Sequence, residues 1–468
     1  MKINNAYDEY QYFLQEYLLP LLGISYNKNL EKVASPRTTP PRAPGTFIRQ
    51  DNDNVYFSSY ATDMFSLEWK VPLAKENIRL AQSVIRAFFG VSKYKFSIGS
   101  STSQNFDYKT DAIREENYRL AVQKGVCDWC AGTTSEAFYR LIQILEQWSV
   151  QTYEGNKVTF GFIYDPKAES GFSNDEYGNW LDFLKDDYAA TLTDCIHSVI
   201  MLDKDCNFSK YLSVTENNTV EAYQLSPLLP YRFARIIEKH VTGSRVGIFL
   251  LNNGDILISK NHAVRLIKRN LKWLNLSYET FYDMVEGAMK KRGAISETLI
   301  RQIYASVLDV SFAHTGGIIA VVSNISELVS PKSKSEPVLS ICDNLLDPSS
   351  LPEIAEKMKR SQTYPPTEIQ KRMLKRKTML ALVRGQKFSS LDRKLRTELI
   401  SMDGACILNP EGDVCAVGAI IRNDSGSSGG GRSAAAKKLS TYNGIAVKIS
   451  TDGYIELFAN YEPVYAIK

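Results

Sequence analysis

The sequence predicts an α/β protein built from more than one domain. Three observations carry this reading. The chain has 468 residues, more than one hydrophobic core ordinarily serves. Short β-branched and aromatic runs alternate with stretches of helical periodicity. Hydrophobic content of 44% and charged content of 23% are those of a globular chain.

Along the chain, Tyr10, Phe13, Leu14, Tyr17 and Leu18 recur at helical spacing, so residues 1–34 read as one or two amphipathic helices. Ser35 to Gly45 carries Pro36, Pro40, Pro41 and Pro44 and reads as a loop or arm. Leu73 to Phe89 is a predicted helix, with Pro72 suited to its start. Thr133 to Trp148 is another, with Thr133 or Thr134 as candidate N-cap and Glu136 in its first turn. Val158 to Tyr164 and Ser198 to Leu202 are predicted strands separated by helical segments, which makes the N-terminal region α/β or α+β. Nothing in residues 1–240 matches a chemical motif.

Asn252-Asn253-Gly254-Asp255 between two apolar runs is a hairpin signal. Tyr278 to Lys291 and Ser296 to Leu308 are predicted helices punctuated by Gly293, and Gly316 to Ser323 is an unbroken apolar run suited to a central strand. Thr367 to Arg384 and Ser390 to Met402 are further helices. Gly404 to Leu408 and Val414 to Ile420 form a hairpin about Glu411-Gly412-Asp413. Arg422 to Gly431 is a flexible loop by composition. The helix Arg432 to Ser440 and the hairpin Gly444 to Ser450 with Tyr454 to Phe458 follow.

Bulk properties limit the function classes. A net charge of +4 is too small to mark the whole chain as a nucleic-acid binder. No apolar run is long enough to span a bilayer. Residues 1–22 mix apolar residues with Asp8, Glu9 and Glu16, unlike a signal peptide. A cytoplasmic protein without a membrane partner is therefore expected. Seven cysteines without a secretion signal suggest reduced thiols. Cys127-Asp128-Trp129-Cys130 lacks the second ligand pair that a zinc site needs, so buried thiols are expected there. Residues 357–396 hold thirteen Lys or Arg against Glu368 and Asp392. They suit a solvated helix face, or a surface that attracts phosphates or nucleic acid. Only Tyr364 and Phe388 are interleaved with these cations, so base stacking has little support.

Chemistry concentrates near the C-terminus. Asp403-Gly404-Ala405 precedes a hairpin, and Gly429-Gly430-Gly431-Arg432-Ser433-Ala434-Ala435-Ala436 opens a helix. A carboxylate beside a glycine, followed by a glycine loop that enters a helix on an arginine, suits a phosphate-bearing ligand with a metal. The glycines let backbone approach the ligand closely.

Together with His314-Thr315-Gly316-Gly317-Ile318-Ile319, these motifs resemble in order and spacing the diadenylate cyclase domain. That domain is the nucleotide-binding part of the DNA-integrity-scanning checkpoint protein and of membrane-linked cyclic di-AMP synthases. The resemblance covers about the C-terminal third, Ser296 to Pro463, and implies a mixed-sheet α/β domain with flanking helices. It divides the chain into an N-terminal region (1–240), a hairpin-and-helix connecting segment (241–295) and a nucleotide-binding domain (296–468). It implies condensation of two ATP into cyclic di-AMP by facing domains of a homodimer or higher oligomer. Asp403 would hold Mg or Mn and help activate the attacking hydroxyl. Arg432 would bind phosphate. Thr315, Gly316, Gly317, Gly404, Ala405, Gly430, Gly431 and Ser433 would line the nucleotide site.

The chain departs from the family at one triplet. Active members carry Arg-His-Arg where this sequence reads Arg432-Ser433-Ala434. Two charge-assisted phosphate contacts are missing, each worth roughly 1.5–3 kcal/mol. Lys437, Lys438 and His314 are candidates to compensate. The altered triplet favours a nucleotide or cyclic-dinucleotide sensor. A working cyclase with an altered phosphate clamp is the alternative, and a nucleic-acid-associated protein using residues 357–396 is the third reading.

Overall fold

The structure, a computed structural model, describes residues 6–24, 31–34, 48–50, 55–58, 67–71, 75–92, 108–171, 179–214, 228–290, 293–330, 337–360, 365–422 and 430–467. The proline-rich segment 35–45, Pro72 and most of the glycine-rich loop, Gly429 included, lie outside them. The chain is mixed α/β and divides into two compact units. No helix among the described residues is long and apolar enough to cross a membrane.

The first unit comprises Met1–Thr219 and Phe233–Thr280. A small antiparallel sheet has the order β1-β4-β3-β2, from β1 (Glu31–Ala34), β2 (Ile48–Gln50), β3 (Val55–Ser58) and β4 (Leu67–Val71). Residues 31–34 are thus strand, not the continuation of the N-terminal helix, which ends at Leu21. A two-strand ribbon, β5 (Thr152–Tyr153) with β6 (Asn156–Lys157), precedes the main sheet. That sheet uses β7 (Phe160–Tyr164), β8 (Ser198–Leu202), β9 (Phe208–Ser213), β10 (Val246–Leu250), β11 (Ile256–Lys260), β12 (Ala263–Arg269) and β13 (Lys272–Asn275). Its order is β13-β12-β11-β10-β7-β8-β9, with β7 and β8 parallel and the other pairs antiparallel.

Residues 241–295, expected as a connector, therefore supply four strands of this sheet. Strand β7 is buried along its whole length, and the helix Glu136–Val150 packs on it. Phe138 meets Tyr164 edge-on at 5.1 Å and Trp148 meets Phe160 at 5.9 Å. That helix is capped by Ser135 rather than by Thr133 or Thr134: the Ser135 hydroxyl accepts from the Phe138 amide at 3.1 Å.

The second unit comprises Val220–Arg232 and Phe281–Lys468. Its strands are β14 (Gly317–Val322), β15 (Ala405–Leu408), β16 (Val414–Ala419), β17 (Gly444–Ile449), β18 (Ile455–Ala459) and β19 (Glu462–Ile467). They form one mixed sheet in the order β16-β15-β14-β17-β18-β19. The apolar run at Gly317–Val322 is central, as expected, because every residue of it is buried. Strands β14 and β15 are parallel, and β14 and β17 antiparallel. Ile318, Ala320, Ala405, Ala416, Ala436, Leu439 and Phe458 belong to one core under the helix Gly430–Ser440.

Candidate functional site

Strand register brings the three C-terminal motifs together. Ile319 pairs with Cys406 in the parallel β14–β15 ladder. Gly316 and Asp403, each three residues earlier, therefore stand level at one end of the sheet. Ala405 pairs with Ala419, which brings Gly418 to the same end, and Gly317 pairs with Ile449, which brings the turn after β17 there too.

The glycines here serve close approach. Gly316 has φ +69°, and a Cβ on it would lie 2.5 Å from Arg432 Nη1 and 3.2 Å from the Thr451 amide nitrogen. A Cβ on Gly317 would meet the Ile400 carbonyl oxygen at 2.3 Å. At Gly404, φ is +104°, and a Cβ would stand 2.5 Å from the Gly418 carbonyl carbon. Thr315 Oγ1 and Ser401 Oγ share a hydrogen bond of 2.7 Å, tying the strand entrances together.

Arg432 is half-buried in the first turn of the helix Gly430–Ser440, and Asp403 is exposed. Neither has a hydrogen bond or ion pair among the described residues. The site end thus offers an unpaired guanidinium, a helix N-terminus and an unpaired carboxylate. Gly430 and Gly431 are open at this helix start, with nothing near either prospective Cβ. Ser433 and Ala405 are buried, so what they can offer a ligand is backbone rather than side chain.

The compensating residues separate. Lys437 Nζ lies over the rings of Tyr461 and Phe458, at 5.3 and 5.9 Å. Tyr461 is in the turn after β18, at the opposite end of the sheet from Gly316, so Lys437 does not restore the missing cation. His314 is at the site end. It caps the helix Glu297–Ala313 in left-handed conformation, and its Nδ1 lies 3.1 Å from the Thr451 carbonyl oxygen. That contact favours the tautomer in which Nδ1 donates, leaving Nε2 as acceptor.

Lys375, not identified in the sequence as a site residue, reaches the same end. Its ammonium donates to the Gly418 carbonyl and to Asp343 Oδ1. A Cβ on Gly418 would lie 3.1 Å from the Asp403 carbonyl oxygen and 3.4 Å from Lys375 Cε. The only sequence signal was Gly418 interrupting the run Val414–Ala419.

Much of the basic stretch 357–396 is spent inside the unit. Arg376 and Arg396 are buried and donate to backbone carbonyls, Arg376 to Asn344 and Asp347, Arg396 to Leu391. Arg372 pairs with Glu368 at 2.9 Å, and Arg393 with Asp309 at 2.7 Å. Lys371, Lys377 and Lys394 remain exposed.

Among the described residues, no group of three or more His, Cys, Asp or Glu side chains could hold a metal ion. A cation held by Asp403 would take its remaining ligands from water and substrate phosphates, as Mg²⁺ commonly does. Cys127 and Cys130 lie on the helix Tyr108–Ala131, both buried. Burial pushes the Cys130 thiol up to about 12, far from a reactive thiolate.

Compared with known proteins, the chain matches no family model, no curated sequence and no solved structure.

Proposed function

We propose that the second unit binds an adenine nucleotide or a cyclic dinucleotide where Thr315-Gly316-Gly317, Asp403-Gly404-Ala405 and Gly430-Gly431-Arg432-Ser433 meet, and that it works as a nucleotide sensor. One observation supports this most: the Arg432 guanidinium lies against Gly316, half-buried and without a partner among the described residues. A half-buried guanidinium at a helix start is a favourable place for an anion to bind. Phosphate meets the guanidinium and the positive end of the helix dipole at once. The resemblance of these motifs to the diadenylate cyclase domain points the same way. The single arginine of Arg432-Ser433-Ala434 supports binding over turnover.

A second reading, an active diadenylate cyclase, has its own support in Asp403. A pure binding module has less need of an exposed, unpaired carboxylate beside a phosphate clamp. Asp403 would hold Mg or Mn there, and the metal would polarise the phosphate and the attacking hydroxyl.

The experiment is product analysis by mass spectrometry after incubation with ATP and Mn²⁺ or Mg²⁺, with Asp403→Asn as control and calorimetric titration of ATP and cyclic di-AMP alongside. Binding without product supports the sensor. Cyclic di-AMP from the wild type alone makes the domain an enzyme. No binding of either compound sinks both readings.

A further inference from the structure

The first unit holds a pocket of about 340 Å³ unrelated to the motifs above. The end of β11, the start of β12 and the helices Lys75–Ser92 and Tyr108–Ala131 line it, through Lys260, Arg265, Arg79 and Trp129. Its volume is at the lower end of the range for small-molecule sites, roughly 300–1,000 Å³.

Its charge is one-sided. Arg79, Lys260 and Arg265 all line it, and among the described residues no carboxylate does. Arg265 Nη1 pairs with Glu279 at 2.9 Å, which offsets one of the three charges. Lys260 is turned inward: its ammonium donates to the Trp129 carbonyl at 3.1 Å and lies 4.9 Å from the Trp129 ring centre. Burial first, then the positive charges of Arg79 and Arg265, push the Lys260 ammonium below its usual range. Crowding like charges in a concave, partly desolvated space is unfavourable in the empty protein and is relieved by an anion.

The rest of the wall is built rather than accidental. Asn77 Oδ1 accepts from Asn275 Nδ2 at 3.2 Å, and Asn275 Oδ1 accepts from the amide and hydroxyl of Ser277 at 2.9 and 2.7 Å. This buried network fixes the pocket floor before any ligand arrives. Leu80 and Leu266 supply an apolar strip beside the cations.

We propose that this pocket binds a small phosphorylated metabolite, its phosphate dianion among Arg79, Lys260 and Arg265 and its uncharged part against Leu80 and Leu266. Arg79 and Lys260, with Arg265 sharing its charge with Glu279, suit a dianion better than a single carboxylate, and arginine forks match phosphate oxygens in pairs. The proposal is independent of the nucleotide site in the second unit.

The test is calorimetric titration of the full-length protein with inorganic phosphate, glycerol 3-phosphate and ribose 5-phosphate, with glycerol, ribose and acetate as controls. The expected result is saturable binding of at least one phosphate-bearing probe and none of its control. Arg79→Gln should weaken that binding at least fivefold and Lys260→Gln at least tenfold, while Arg432→Ala leaves it unchanged. Arg79 is exposed and has no partner among the described residues, so its variant carries the test if Lys260→Gln fails to fold. Absence of binding by all three phosphate probes overturns the proposal. So does binding that both first-unit variants leave intact, binding lost only in Arg432→Ala, or acetate binding as tightly as phosphate.

Discussion

Arg432 occupies the space that a side chain on Gly316 would need: its Nη1 stands 2.5 Å from the prospective Cβ. Two motifs more than a hundred residues apart are therefore mutually dependent. Gly316→Ala must displace the guanidinium and hold φ +69° with a Cβ present, a strain of order 1–3 kcal/mol. We expect nucleotide affinity to fall about tenfold or more in this variant. Gly431→Ala is the contrast, since nothing lies within 4 Å of its prospective Cβ. Alanine favours helix over glycine by about 1 kcal/mol, so this variant should keep or slightly raise the melting temperature. Unchanged affinity in Gly316→Ala would show that Gly316 does not position Arg432.

Asp403 is exposed and unpaired among the described residues, so its charge does nothing visible for the fold. Asp403→Asn should change stability by no more than about 0.5 kcal/mol. The divalent-metal dependence of nucleotide binding should disappear in the same variant. Titrations with Mg²⁺ and with EDTA, run on both proteins, measure this. A large stability loss would instead make Asp403 a structural residue.

The basic stretch makes a different prediction. Arg393 grips Asp309 through two bonds, Nε to Oδ2 at 2.7 Å and Nη2 to Oδ1 at 3.0 Å, and also donates to the Leu229 carbonyl. Asp309 Oδ1 accepts from the Tyr231 amide at 2.8 Å as well. Both side chains are nearly excluded from solvent, so losing one strands the other. Arg393→Ala should destabilise the second unit by about 3–5 kcal/mol. Urea unfolding at low and high salt checks this, because a buried pair is screened little. A loss that vanishes in high salt would return Arg393 to the surface role its sequence context suggested.

What could be read from the sequence, and what could not, follows from which elements carry local signals. Strand Gly317–Val322 and the hairpin at Asn252-Asn253-Gly254-Asp255 were legible because one is uniformly apolar and the other has strong turn chemistry. The helix Tyr108–Ala131 was missed. Residues Ala121–Gln123 and Gly125–Cys127 are all buried, so no apolar stripe marks a face. Gly125, which reads as a breaker, is there because a Cβ would stand 2.4 Å from Val84 Cα on the neighbouring helix.

Turns at Asn261-His262, Asn270-Leu271 and Asn460-Tyr461 put both residues at positive φ without glycine. The usual Asn-Gly signal is absent, and strands β12, β13 and β19 went unread with them. At the candidate site, the order of motifs was legible but Lys375 and Thr451 were not. Thr451 is placed by strand register and Lys375 by the packing of the helix Pro366–Val383, and no local pattern encodes either.

His240 gives the first unit a pH dependence of its own. It ends the helix Ala234–His240, is buried, and its Nε2 has no partner among the described residues. Burial, and then Lys239, Arg245 and Lys210, hold the imidazole pKa down from 6.5 to about 4. Between these values the unfolded chain binds more protons than the folded one, so stability falls as pH falls. The contribution of neutral His240 is fully present above about pH 6.5 and is lost by about pH 4. Its size is on the order of 3 kcal/mol.

Tryptophan fluorescence isolates this effect. All five tryptophans, Trp69, Trp129, Trp148, Trp180 and Trp273, belong to the first unit. The urea midpoint followed by fluorescence should drop between pH 7 and pH 4.5 in the wild type and drop much less in His240→Phe, which keeps a ring and removes the titrating nitrogen. Carboxylates that lose stabilisation in acid act equally in both proteins, so the difference between the two curves belongs to His240. Parallel curves would assign the acid sensitivity to those carboxylates instead.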